Sequence, residues 1–427
     1  MSKNSGNATK KTAIIGGGAA GLAAAIFIKQ NDRNMNVTVF ERLERVGKKL
    51  LATGNGRCNI SNKNCRQTAL NGGLSVCAHY FGHDRAFPMR ALSAFDNDDL
   101  RQWLLDMGMP CVYENDKMFP YSLCASTVLD VLRLKCENSG AQVRVDSPVD
   151  DISEKGGKFI VNGERFDYVI VACGGKAQPK LGSNGSGYAL LKKFGHKCTE
   201  LLPSITQIKT QTELTRSLKG LKFQANVSIY KGNEHIRSEY GQLLFTDYGI
   251  SGPPAFAISR TASQFGESGN CSIKIDFMPE YDFGEVKALI DNIASNPFCN
   301  DMTAKDMLIP LMHGRLAQVI IKYSKIALNT PIKQLKPQDI KRICGSIKAF
   351  TIVCTGVQGF NAAQVTAGGI LTADFDDATM QSKLKKGLFA VGEVLDVDGD
   401  CGGYNLQWAF SSASAAALTI TNSGDAK

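Results

Sequence analysis

The chain has 427 residues, 43% of them apolar and 21% charged, which suits two or three packed domains and excludes a disordered chain. No run of about 18 uncharged apolar residues occurs, so a membrane-spanning helix is excluded, and Met1–Lys11 lacks the apolar stretch of a secretory signal. The net charge of +9 is scattered, with Lys3, Lys10 and Lys11 in the N-terminal tail, and reads as a solvated basic surface or one that attracts an anionic ligand or nucleic acid. The thirteen cysteines contain no CxxC pair and read as reduced thiols in the cytoplasm, with no metal framework and no dithiol redox centre.

Thr12–Ile15 is a short apolar run that suits a buried parallel strand. It leads into a G-x-G-x-x-G turn with glycines at 16, 18 and 21, then into an apolar helix beginning at Leu22. Gly16 permits the tight turn, Gly18 lets a pyrophosphate approach the backbone, and Gly21 lets helix and strand pack closely. The helix N-terminus offers N–H groups and a positive dipole end to the phosphates. A second strand, Val37–Phe40, ends at Glu41, twenty residues after Gly21, where a carboxylate can accept hydrogen bonds from ribose hydroxyls. Strand, glycines, helix, strand and acid in that order indicate dinucleotide binding. The Gly/Asn-rich loop Thr53-Gly54-Asn55-Gly56-Arg57-Cys58-Asn59 then favours FAD over NAD: in flavoproteins of the glutathione-reductase type this segment runs along the ribityl chain and ring. Asn55, Arg57 and Asn59 could hydrogen-bond the polar edge of the ring.

Further on, Ala125–Leu132 reads as a helix, Gly140–Val145 as a strand, and Val149 as the start of the next, facing adenine or the core. Phe166–Gly175 is an apolar strand ending in Gly174 and Gly175, with Cys173 as packing. After about residue 204 apolar residues alternate, at 223, 225, 227 and 229 and again at 271, 273, 275 and 277, which predicts antiparallel strands. Pro253-Pro254 argues against a helix there. From Phe283 to Phe350 the spacing turns helical. The chain returns with Gly387–Glu393 as a buried strand, an Asp-rich stretch that lacks the features of a calcium loop, and a small-residue helix over 411–418. Gly402 and Gly403 precede that helix, whose positive end would face the flavin edge where charge develops on reduction.

These segments together resemble the BaiN/YhiN-like flavoprotein family, also known as aminoacetone-oxidase-like FAD-binding enzymes. The stretches TGNGRCN (53–59) and GEVLDVDG…CGGYNLQWA (392–409) carry the resemblance most specifically. It implies an α/β fold: a Rossmann-like FAD-binding domain (1–204 and 366–427) of the two-dinucleotide-binding-domain type. Inserted in it would be a β-barrel-like domain (205–282 and 350–365) and a small helical domain (283–349). Family FAD contacts would fall on Ala19, Ala20, Glu41, Arg42, Asn55, Gly56, Arg57, Cys58, Asn59, Val149, Gly392, Glu393, Asn405 and Leu406, beside Gly16, Gly18, Gly21, Gly54, Gly174 and Gly403. Cys173 stands where similar proteins carry Thr, and Ser412-Ala413 where Ser-Gly is common.

One GxGxxG leaves no second nucleotide domain. NAD(P)H would dock transiently, or the substrate would reduce the flavin and oxygen reoxidise it. The flavin carries the hydride chemistry. Arg57, Tyr121, Tyr404 and Gln407 are the candidates for substrate contact. The expected activity is that of an FAD-dependent oxidoreductase on a small organic molecule, enone reductase-like or amine oxidase-like. An RNA-modifying flavoprotein and a non-enzymatic flavin redox sensor are the alternatives. The first is disfavoured because no Lys/Arg block of five or more is present.

Overall fold

A computed structural model describes residues 9–423 except 67, 72, 73 and 300. Lys3 of the basic tail lies outside the described residues. The chain forms two compact units, Met1–Leu202 with Gln364–Lys427, and Pro203–Ala363.

The first unit is built on a five-stranded sheet. Across it run Leu388–Ala390, Tyr168–Val171, β1 (Lys11–Ile15), β2 (Asn36–Phe40) and Gln142–Arg144, and every pairing is parallel. β1 and β2 are buried at all but their first residue, as strands covered on both faces must be. Helix α1 (Ala19–Asn31) joins them and is buried continuously from Ala20 to Lys29, so its apolar surface runs all round. It packs against the last helix, Tyr404–Asn422, which is rich in alanine and serine.

The second unit is a closed antiparallel barrel. Its strands run in the order Ile208–Thr210, Gly249–Ser251, Glu234–Phe245, Lys222–Lys231, Cys271–Asp276 and Phe350–Val357. Ala225, Val227 and Ile229 point inward with Ile273 and Ile275, as the alternation predicted. Helices Phe283–Ser295, Gly314–Tyr323 and Pro337–Lys348 contribute Val286, Ile290, Ile320 and Ile343 to the same hydrophobic cluster as Ile275 and Phe350.

Three local expectations are corrected. Pro253-Pro254 does not prevent a helix but opens one, Pro253–Phe265; a first-turn N–H has no intrahelical partner, so proline loses nothing there and its fixed φ suits the helix. Val149 begins no strand: the next one starts at Ile152. The last helix starts at Tyr404, seven residues before the predicted start, directly on Gly403. Among the described residues no helix is long and apolar enough to cross a membrane, and no group of three or more His, Cys, Asp or Glu side chains is arranged to hold a metal ion.

Candidate functional site

β1 ends at Ile15, and the chain turns through Gly16, at φ +108°, into α1, whose N-cap is Gly18. A Cβ on Gly16 would lie 2.6 Å from the Ala172 carbonyl oxygen, and one on Gly21 only 1.9 Å from the Gly16 carbonyl oxygen. Those two glycines are required by backbone packing. Gly18 differs: a Cβ there would meet no atom within 4 Å. α1 has no capping side chain and no acid in its first turn. The N–H groups beside Ala19 and Ala20 and the positive helix end therefore face an open cradle suited to an anion.

Glu41 stands at the junction of this turn with β2. Its Oε2 accepts the Gly17 N–H at 2.9 Å and its Oε1 the Leu43 N–H at 2.8 Å. Arg42 Nη2 donates to the Gly182 carbonyl at 3.2 Å. The Ser147 N–H donates to the Glu41 carbonyl at 2.8 Å, so the segment leading to the buried Val149 starts beside Glu41.

In the TGNGRCN loop Gly54, Asn55, Gly56 and Cys58 are all left-handed, with φ of +56°, +55°, +83° and +57°. Glycine and asparagine are the residues that accept this conformation at least cost. Asn55 and Gly56 are exposed. Asn59 Oδ1 is buried and has no hydrogen-bond partner among the described residues. Cys58 is fully buried, and burial pushes its thiol up to about 12, so it stays protonated. Cys173 behaves alike, pushed up to about 12 by burial, with its Sγ 3.3 Å from the Ile15 carbonyl oxygen. Arg57 pairs with Glu114 and lies over the Phe119 ring, 4.6 Å from its centroid.

The returning segment is stitched to this region. Lys49 Nζ donates to Glu393 Oε2 at 2.8 Å across 344 residues of sequence. Glu393 Oε1 accepts the Thr366 N–H at 2.6 Å, and Thr366 Oγ1 accepts the N–H groups of Lys176 and Ala177 at 2.8 and 2.9 Å. Gly174 belongs to the same corner: a Cβ there would lie 3.8 Å from Glu393 Oε2. Gly392, at φ +72°, donates its N–H to Ser412 Oγ at 3.0 Å, and its carbonyl accepts Trp408 Nε1 at 3.1 Å. Asn62 Nδ2 donates to the Gly402 carbonyl at 3.0 Å. A Cβ on Gly403 would stand 2.4 Å from the Ser61 carbonyl oxygen.

At the start of the last helix Tyr404 is buried, its ring stacked on His79 at 4.5 Å. Asn405 closes the preceding loop by bonding both the N–H and the carbonyl of Gly399 at 2.8 Å. Leu406 is half-buried against the core. Gln407 is fully buried; its Oε1 accepts from Ser61 Oγ at 2.5 Å, and its Nε2 donates to the Phe95 carbonyl and Ser411 Oγ at 3.1 and 3.0 Å. Both amide hydrogens are thus used inside the protein. Tyr121 is 71% exposed and lines a groove of about 220 Å³ with Met109, Pro110, Ser122, Thr127 and Val131. Neither Arg57 nor Tyr404 lines that groove.

The residues present fit an elongated dinucleotide: an open cradle at Gly18, a buried carboxylate at Glu41, and an unpartnered buried acceptor at Asn59. Sequence reading misses Lys49, Thr366, His79 and Asp400. Thr366 and Asp400 lie within stretches that resemble the family and Lys49 beside one, yet the role of each of the four comes only from a contact made across the fold.

The family model described as the HI0933-like protein Rossmann domain matches residues 10–419. The chain belongs to the HI0933-like family. This bears out the resemblance to BaiN/YhiN-like flavoproteins and makes the protein an FAD-dependent oxidoreductase of Rossmann fold. The HI0933-like chain is 33% identical over 404 residues to a 3-dehydro-bile acid delta(4,6)-reductase of Clostridium scindens, covering 93% of this chain and 96% of that one. It is 30% identical over 429 residues to a ribosomal RNA dihydrouridine synthase of Haemophilus influenzae, covering 96% and 98%. Among solved structures it overlays on a quinol–fumarate reductase at a TM-score of 0.48 and 15% identity, covering 98% of this chain and 72% of that one.

Proposed function

We propose that the protein reduces a carbon–carbon double bond conjugated to a carbonyl in a small organic substrate, with NAD(P)H as a transient electron donor. The observation that carries this reading is the stitching of the TGNGRCN region to the Glu393–Tyr404 segment through Lys49, Asn62 and Ser61. It supports a seat for one extended cofactor drawn from both ends of the chain. The bile-acid reductase at 33% identity supports the reaction class.

Bound FAD would supply the hydride. In this reading Gly16, Gly18, Gly21 and the first turn of α1 at Ala19 and Ala20 hold the pyrophosphate, Glu41 and Arg42 the adenosine ribose, and Val149 the adenine. Gly174, Gly392 and Glu393 flank the ribityl chain. Gly54, Asn55, Gly56, Cys58 and Asn59 lie along the ring, and Asn59 Oδ1 offers it an acceptor. Gly403, Asn405 and Leu406 present the positive end of the last helix to the edge where negative charge develops. Arg57 orients the substrate, Tyr121 guards a separate approach, and the buried Tyr404 and Gln407 brace the start of the last helix.

A second reading has a specific observation in its favour. The Haemophilus influenzae relative is named for dihydrouridine synthesis in ribosomal RNA, and the double bond of uracil is likewise conjugated to a carbonyl. The same hydride delivery would serve an RNA substrate. The test is anaerobic. NADH, then NADPH, is added to the yellow protein, and bleaching near about 450 nm is followed; the bleached enzyme is then mixed with 2-cyclohexen-1-one or with uridine-containing RNA. Bleaching followed by rapid enone-driven reoxidation supports the first reading. Reoxidation by RNA alone, with salt-dependent retention of that RNA, supports the second. Bleaching by a small amine, with hydrogen peroxide formed on admitting air, would replace both by oxidase chemistry.

A further inference from the structure

We propose that His79 is the proton donor of this reaction, aimed by Asp400 and backed by Tyr404. The inference rests on the reading above that a conjugated double bond is reduced. In that reaction a hydride from the reduced flavin forms the new bond at the β-carbon. The π pair moves onto the carbonyl oxygen as an enolate, and a proton must then reach the α-carbon. With imidazolium as the source, the Nε2–H bond breaks, its pair stays on the ring, and water restores the proton.

The residues singled out by sequence are poor sources: Tyr121 lines a separate groove, and the other three are engaged or held neutral. The Arg57 guanidinium does not release a proton in this range and is paired to Glu114. Gln407 has both amide hydrogens occupied. Burial holds the Tyr404 phenol well above its usual range.

His79 is arranged otherwise. Its Nδ1 lies 2.9 Å from Asp400 Oδ2, and Nε2 makes no hydrogen bond to a described residue. Its side chain is 30% exposed while that of Asp400 is 9% exposed. A carboxylate on Nδ1 fixes the tautomer and turns Nε2 outward, the division of labour that histidine acid–base sites use.

The mounting is rigid. The ring stacks on Tyr404 at an interplanar angle of 23°. The His79 carbonyl accepts the Asp400 N–H at 2.9 Å, and Tyr80–Phe81 pairs antiparallel with Asp398–Gly399. Tyr80 Oη donates to the Tyr404 carbonyl at 2.9 Å, and the His83 N–H donates to Asp396 Oδ2 at 3.0 Å. Asn405, one of the proposed ring contacts, donates its Nδ2 to the Asp400 carbonyl at 3.3 Å and bonds the N–H and carbonyl of Gly399, so the loop that carries Asp400 is tied to the start of the last helix. The titratable and charged groups around the pair include Asp400, Cys401 and Tyr404 from the returning segment, Cys77, Tyr80 and Arg85 from its own, and Cys65 and Lys117 from the segments beside them.

The test uses the FAD-loaded protein. Dithionite-reduced enzyme is mixed anaerobically with 2-methyl-2-cyclohexen-1-one, and flavin reoxidation is followed by stopped flow. His79→Gln should slow reoxidation by about 10²–10⁴-fold, with FAD content and reduction by dithionite unchanged. The residual product should lose handedness at the α-carbon, because water then protonates both faces. Asp400→Asn, which keeps the imidazole, should give a smaller loss and keeps the test open if His79→Gln fails to hold FAD. A readout independent of turnover is the ¹⁵N spectrum of the histidines. Neutral His79 should be the Nδ1–H tautomer in the native protein and revert to Nε2–H in Asp400→Ala. Native-like reoxidation by His79→Gln, or an Nε2–H tautomer in the native protein, would overturn the assignment of His79 alone. Failure of the native enzyme to be reoxidised by this enone or by uridine would overturn the assignment together with the reading beneath it.

Discussion

Replacing Gly18 by alanine should leave the apo-protein folded while weakening its hold on FAD. Gly18 is extended, at φ −81° and ψ −170°, a conformation open to alanine. Alanine at an N-cap costs up to about 1 kcal/mol relative to glycine, and the reduced freedom of the unfolded chain offsets about 0.4–1 kcal/mol of that. The net change in apo stability is therefore near zero. The added methyl meets no protein atom within 4 Å and instead occupies the cradle. Overpacking of a filled site costs about 1–3 kcal/mol, a roughly 5- to 150-fold rise in Kd. Gly21→Ala is the control. Its Cβ would stand 1.9 Å from a backbone oxygen, so strand and helix must part, at a cost of about 3 kcal/mol or more. Urea denaturation of the apo-proteins and flavin-fluorescence titration separate the two effects. If Gly18→Ala binds FAD as tightly as the native protein, or destabilises the apo-protein as Gly21→Ala does, the cradle argument fails.

Glu393→Gln keeps an acceptor for Thr366 but leaves Lys49 without its partner; a loss of about 1–3 kcal/mol is expected, read as a lower urea midpoint, together with weaker FAD retention. Gln407→Leu takes away the acceptor of the buried Ser61 hydroxyl, which keeps the Asn97 amide as a donor, and should cost about 1–3 kcal/mol; a normal urea midpoint with a raised KM would mean instead that Gln407 touches substrate. Iodoacetamide at mild pH should label Cys124 first, because it is exposed and the Ser126 hydroxyl beside it lowers its pKa, while Cys58 and Cys173 stay unlabelled until the protein unfolds. Those two thiols and Cys136 are raised by burial from about 9 to about 12. The folded state therefore holds protons that the unfolded chain has released, so their contribution to stability is complete below about pH 9 and is lost as pH rises toward 12. Thermal melts should fall across that window, and the fall should be shallower in Cys136→Ala.

The dinucleotide cradle is legible because its parts are contiguous. β1, the three glycines, α1, β2 and Glu41 occupy a single stretch, and each glycine has a local reason to be there. The barrel strands are legible for the same reason, since a period of two is written into each strand alone. What is not legible depends on closure. Lys49 and Glu393 are 344 residues apart, and His79 and Asp400 are 321 apart; no spacing rule joins them. Gln407 shows the converse limit. Its place in a glycine-led motif suggests an open ring-side position, yet Ser61 and the Phe95 carbonyl turn it inward. Pro253 misleads because proline terminates a helix from within and initiates one from its first turn.

The interruption of the sheet unit by Pro203–Ala363 has a consequence for biosynthesis. Tyr168–Val171 emerges from the ribosome early, but its neighbour Leu388–Ala390 follows only after more than two hundred further residues, on the order of ten to forty seconds later. Over that interval the nascent sheet carries a bare edge, and neither Glu393 nor the last helix exists to complete the cofactor's seat. Flavin capture is thereby deferred until Glu393 and the last helix have been made, and a ribosome that stalls within the insertion releases a chain with a nucleotide cradle that has nothing to close it.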